Sequence, residues 1–76
     1  MTFDRKTKLL LLLGVLNDAY ADAASTIVNL QDFVSSHPDM QEEIDEFDVI
    51  SILNKAKELE KLILEVMDRI KSEVYV

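Results

Sequence analysis

Only one stretch of these 76 residues is punctuated like a turn: Ser35-Ser36-His37-Pro38-Asp39. Proline biases the residue before it away from the α conformation and is itself welcome at a first helical position. The cluster therefore closes one helix near Val34 and opens another near Pro38. His37 or Ser36 is the expected N-cap, and Asp39, Glu42 and Glu43 fall near the positive end of the second helix dipole. The whole chain holds one Gly, one Pro and no Cys. A β-sandwich or barrel needs turn residues every 8–12 positions or so and is excluded. Disulfide frameworks, zinc ribbons and thiol nucleophiles go with the missing cysteine. The reading is all-α: one domain over 1–76, a long two-helix antiparallel hairpin with a helix over about 4–34, a turn at 35–38 and a helix over about 38–74.

The apolar rhythm supports this. Leu9, Leu13, Leu16, Tyr20, Ala23, Ile27, Leu30 and Val34 advance in alternating steps of four and three, an a/d seam of nearly four heptads. Thr2 or Asp4 caps its start, and Gly14 interrupts it at about 1 kcal/mol against Ala. Asp18, Asp22, Ser25, Asn29 and Asp32 share the opposite, wet face. Downstream, Val49, Ile52, Ala56, Leu59, Ile63, Val66 and Ile70 repeat the four-three steps. Met40, Ile44 and Phe47 project roughly 130° away from that second seam on a straight helix. No Gly or Pro marks a break there, so the spacing predicts a helix that is continuous or slightly kinked near Asp48. A short helix over 38–47 followed by a long one over 49–74 is the alternative.

Two helices of this length make a rod of roughly 45–55 Å with a single seam. Leu10, Leu11, Val15, Val28, Phe33, Leu53, Leu62, Leu64 and Met67 lie outside it. Leaving each wet forgoes roughly 1.5–3 kcal/mol, and a chain this small has little core to spare. Self-association into a four-helix bundle, as a homodimer or a higher oligomer, covers the surplus. Its expected seam is Leu9, Leu13, Leu16, Tyr20, Ile27, Leu59, Ile63, Val66 and Ile70.

Charge separates along the rod. Residues 37–48 hold Asp39, Glu42, Glu43, Asp45, Glu46 and Asp48 with no Lys or Arg, which is −6 of the net −7. Arg5, Lys6, Lys8, Arg69 and Lys71 belong to the other end. An acidic chain has the wrong sign for phosphate backbones, so no direct nucleic-acid binding is expected. Met40, Ile44 and Phe47, ringed by Glu42, Glu43 and Glu46, are the residues expected to contact a partner protein.

Catalytic patterns are sparse. One His, no Cys and one Gly leave no nucleophile–base pair and no phosphate loop. Glu42-Glu43-x-x-Glu46, followed by Glu65-x-x-Asp68, resembles the EExxE…ExxD signature of the MazG-like nucleotide pyrophosphohydrolases. The resemblance implies carboxylates from two helices converging on magnesium across a turn. Here both halves fall on one expected helix, on the face opposite the seam. Ala56-Lys57-Glu58-Leu59-Glu60-Lys61-Leu62-Ile63 is similar to the S-x-E-L-D-x-L-I stretch of the small aspartyl-phosphate phosphatases of sporulating bacteria, with Ala56 in place of the Ser and Glu60 in place of the Asp.

Arg5, Lys6 and Lys8, then Leu9 to Leu16, then Ala19-Tyr20-Ala21 follow the order of a secretory signal peptide. The apolar run is short and Asp4 sits among the bases, so residues 1–21 are read as part of the domain and the location as cytoplasmic. A membrane span is not expected, for want of about 20 apolar residues in a row. The function that follows is that of a small acidic helical protein working by protein–protein contact, an oligomeric adaptor or regulatory module. No enzyme activity, cofactor or metal is expected. The alternative is an acidic inhibitor that occupies the cationic groove of a nucleic-acid-binding or defence protein, as phage-type inhibitors do.

Overall fold

The computed structural model describes residues 3–75. They are all-α, with three helices where two were expected: α1 Arg5–Ser36, α2 Gln41–Glu46 and α3 Val49–Val74, with a 3₁₀ turn Pro38–Met40 before α2. Asp4 caps α1, its carboxylate accepting the Thr7 N–H at 2.8 Å; Thr2 lies outside the described residues. α1 and α3 run antiparallel along their lengths. Arg5 of the first turn meets Glu73 of the last, and Ile27 packs with Leu53 and Ala56 toward the other end. Leu13, Ala23, Ile63, Met67, Ile70 and Val74 form the main core, flanked by Leu9, Leu16, Ala19, Tyr20 and Val66.

The α1 seam has the expected register: Leu13, Ala23 and Ile27 are buried, and Leu9, Leu16, Tyr20, Leu30 and Val34 are half-buried. The α3 seam does not. Its inward row is Leu53, Ala56, Ile63, Met67, Ile70 and Val74, with Glu60 half-buried among them, while Ile52 and Leu59 stand outside. Both rows share Ala56, Ile63 and Ile70 and differ by one position between them. The apolar stripe of α3 is wider than one neighbouring helix can cover, so α1 takes one edge of it and leaves the other.

The expected continuous helix over 38–74 is broken at Phe47–Asp48. Asp48 takes the left-handed conformation, φ 51° and ψ 45°. That conformation costs an L-residue roughly 1–2 kcal/mol, and Asp is among the side chains that tolerate it. The Ser51 hydroxyl donates to the Asp48 carboxylate at 2.6 Å, and the Ser51 N–H donates to the Asp48 carbonyl at 3.1 Å. In return α2 turns back onto the rod and buries Ile44 to 3% exposure, and burial of an Ile contributes roughly 1.5–3 kcal/mol. On a straight helix Ile44 would be wet. Burial of this side chain offsets the cost of the left-handed residue.

The result is a rod of 55 × 23 × 17 Å. Its radius of gyration is 17.1 Å, against about 11 Å for a compact domain of this length. α1 also holds an 18-residue stretch of mean hydropathy 1.2 with at most two charges, long and apolar enough by composition to cross a membrane. Ala19, Ala21, Ala23, Ala24 and Ile27 extend the leucine run past Asn17, Asp18 and Asp22, which interrupt it. In the fold this helix lies along α3.

Candidate functional site

The acidic tip is built from the end of α1 to the start of α3. His37 ends α1: its backbone N–H donates to the Phe33 carbonyl at 3.1 Å, and its ring Nδ1 lies 2.9 Å from the same oxygen. The imidazole stacks on the Phe33 ring, centroids 4.3 Å apart. The His37 side chain thus caps the helix that ends there, and not, as expected, the one that follows. Pro38 opens the 3₁₀ turn, where its missing N–H is no loss. The Met40 N–H returns to the His37 carbonyl at 3.0 Å.

The predicted contact residues separate. Phe47 is 75% exposed at the break between α2 and α3. Met40 is half-buried, and Ile44 lies inside. Of the three apolar anchors, then, one faces solvent fully, and Ile44 serves the fold. Glu42, Glu43 and Glu46 are exposed on α2, as are Asp39, Asp45 and Asp48 around them. The Gln41 amide donates to the Asp45 carboxylate at 2.8 Å. The ion pairs among the described residues are Arg5–Glu73 and Lys55–Glu58, so none of these six carboxylates has a cationic partner. The geometry presents negative charge and the rings of Phe47 and, in part, Phe33 to whatever approaches.

At the other end the Arg5 guanidinium grips Glu73 through three contacts of 2.9–3.1 Å. Both side chains are well exposed, so the pair contributes below about 1 kcal/mol. Lys6, Lys8, Arg69 and Lys71 are exposed around it. The two ends of a 55 Å rod are many Debye lengths of about 8 Å apart at physiological salt, so they hardly interact within one molecule.

Of the residues expected at an oligomer seam, Leu13, Ile27, Ile63 and Ile70 are buried within the chain and Leu9, Leu16, Tyr20 and Val66 are half-buried. Leu59 alone is exposed, at 51%. The exposed apolar surface lies instead at Leu10, Leu11, Leu12, Val15, Val28, Ile52, Leu62 and Leu64. Spacing can find these residues only once the inward row of α3 is known. Glu65 and Asp68 are exposed on α3, far along the rod from Glu42, Glu43 and Glu46. Among the described residues no group of three or more His, Asp or Glu is placed to hold a metal ion.

No protein-family model matches this chain. No solved structure matches it either. It is similar to a protein of Archaeoglobus fulgidus described as an uncharacterized protein, with 52% identity over 68 residues that cover 90% of each chain.

Proposed function

The chain belongs to the same family as the Archaeoglobus fulgidus protein, and from that premise we propose that it is a small helical module that works by protein–protein contact. It associates with copies of itself, offers its acidic tip to another protein as an adaptor or regulator, and has no chemistry of its own. One observation carries this reading: two long helices bury a single seam and leave large apolar side chains wet on both sides of it, Leu12 and Leu62 on one and Leu10 and Leu64 on the other. Contiguous exposed apolar surface on a small chain marks an interaction site. Removal of residues 1–21 would take Leu13 and its neighbours Leu9, Leu16 and Tyr20 from the main core, which supports reading them as part of the folded domain.

The test is the concentration dependence of thermal unfolding. An assembly melts at higher temperature as protein concentration rises, since a tenfold rise is worth about 1.4 kcal/mol to a two-state dimer. A melting temperature independent of concentration would refute self-association. Phe47→Asp should leave both the melting curve and the helicity intact while removing contact between the tip and its partner. A loss of fold would instead place Phe47 in the core.

A second reading rests on the tip alone. Six exposed carboxylates without a cationic partner suit a protein that fills the cationic groove of a nucleic-acid-binding or defence protein. Reversal of Glu42, Glu43 and Glu46 to Lys would abolish such inhibition.

A further inference from the structure

Leu12 and Val66 line one groove between the helices, together with Leu9 and Ile70. At 100° per residue, Val15 and Ala19 continue from Leu12 on the same side of α1, and Leu62, Leu59 and Ile52 continue from Val66 on the same side of α3. These rows form one face of the rod. Leu10 and Leu64 are two residues, or about 200°, from Leu12 and Leu62, and belong to the opposite face.

We propose that the face of Leu12, Val15, Ala19, Leu59, Leu62 and Val66 is covered by a second copy of this chain, turned end for end about a two-fold axis through Leu59. This rests on the self-association proposed above and names its surface and geometry.

Surface area supports it first. The chain exposes 5831 Å², against roughly 4,700 Å² expected of a globular monomer of this mass. The surplus of about 1,100 Å² matches the roughly 800 Å² or more that each partner buries in a stable pair.

Self-complementarity comes second. A two-fold interface must match its own pattern under rotation. On α3 one apolar pair and one charged pair are placed symmetrically about Leu59: Ile52 stands seven residues before it and Val66 seven after, and Asp48 stands eleven before and Arg69 ten after. Turned end for end, Ile52 of one copy meets Val66 of the other, Leu59 meets its twin, and Asp48 meets Arg69. On α1 the axis falls near Ala19, whose small side chain lets two backbones approach. Charge chooses between the two ways of stacking hairpins. End for end, each tip of −6 lies beside the Lys8 and Arg69 end of the other copy. Side by side in the same direction, twelve carboxylates would crowd together.

Because the chain has no Cys, single cysteines report the geometry directly. Leu59→Cys should oxidise to a disulfide-linked pair of twice 8.7 kDa, about 17 kDa. It should do so about a hundredfold faster than Leu64→Cys on the other face, because a residue on the axis meets its twin at millimolar effective concentration. Circular dichroism confirms that both variants are folded. If Leu64→Cys couples faster, the chosen face is wrong while self-association stands. If Leu59→Cys couples with Ala19→Cys and not with itself, the axis runs lengthwise and the end-for-end geometry is refuted. Slow coupling at both positions, with a native protein that stays monomeric, would overturn this proposal and self-association together.

Discussion

Burial of Ile44 offsets the cost of the left-handed Asp48, and its truncation gives the most informative single variant. It is the most buried hydrophobic residue of the core, at 3% exposure, on a helix of only six residues. Ile→Ala in such a site removes about 2–3 kcal/mol through lost transfer free energy and the cavity left behind. A chain of this size has roughly 4–11 kcal/mol in all. With an unfolding entropy of about 2.1 cal/mol/K per residue, each kcal/mol moves the midpoint by about 6 °C. Ile44→Ala should therefore lower the melting temperature by roughly 12–20 °C. Phe47→Ala, three residues on at 75% exposure, should stay within about 0.5 kcal/mol of the native protein. Thermal unfolding followed by far-ultraviolet circular dichroism, at one fixed concentration, reads both. On a straight helix over 38–74 Ile44 and Phe47 would be equally wet. Two small and similar shifts would therefore refute the packing of α2 and the argument that burial of Ile44 sustains the left-handed Asp48.

Three further outcomes follow from the same structure. Asp48→Gly should be neutral to slightly stabilising, since it relieves the left-handed backbone while losing the Ser51 contact, whereas Asp48→Val should cost about 1–2 kcal/mol; denaturant titration distinguishes them. Gly14→Ala should add about 0.5–1 kcal/mol by the same measurement, because a Cβ there meets nothing within 4 Å and the position is helical. Asp4 has its carboxyl held below the ordinary 3.8 by the Thr7 N–H that it accepts, so it contributes stability above that value and loses it as the pH falls through the lower folded value. The difference in melting temperature between the native protein and Asp4→Ala should accordingly narrow as the pH is taken well below 3.8, and a constant difference would contradict the capping role.

The α1 seam was fully legible because Asp18, Asp22, Asn29 and Asp32 leave it one wet side, and polar residues fix a helical register more sharply than apolar ones. On α3 the apolar residues 52, 53, 56, 59, 62, 63, 66 and 67 fill more than one face, so two registers fit and spacing could not choose. What chose was the partner helix, a tertiary fact. The break at Asp48 left a fainter trace. Met40, Ile44 and Phe47 stood off the seam by roughly 130°, which a straight helix would have left unexplained, and Asp48 and Ser51 carry the side chains that support a left-handed residue. Gly and Pro are the usual marks of a break, but Asp can serve in their place. The acidic tip was readable from charge alone, since local sequence density of carboxylates survives any packing. Which of its apolar residues face outward was not, because Ile44 and Phe47 differ only in which side of a short helix meets the rod.

Mass in solution by light scattering, across concentration and at low and high salt, tests most directly the claim that the apolar face of Leu12, Val15, Leu59 and Leu62 is covered by another copy of the chain. The expected result is a species of about 17 kDa, twice 8.7 kDa, that weakens as salt screens the tip against the basic end. A well-folded 8.7 kDa monomer at every concentration would contradict it.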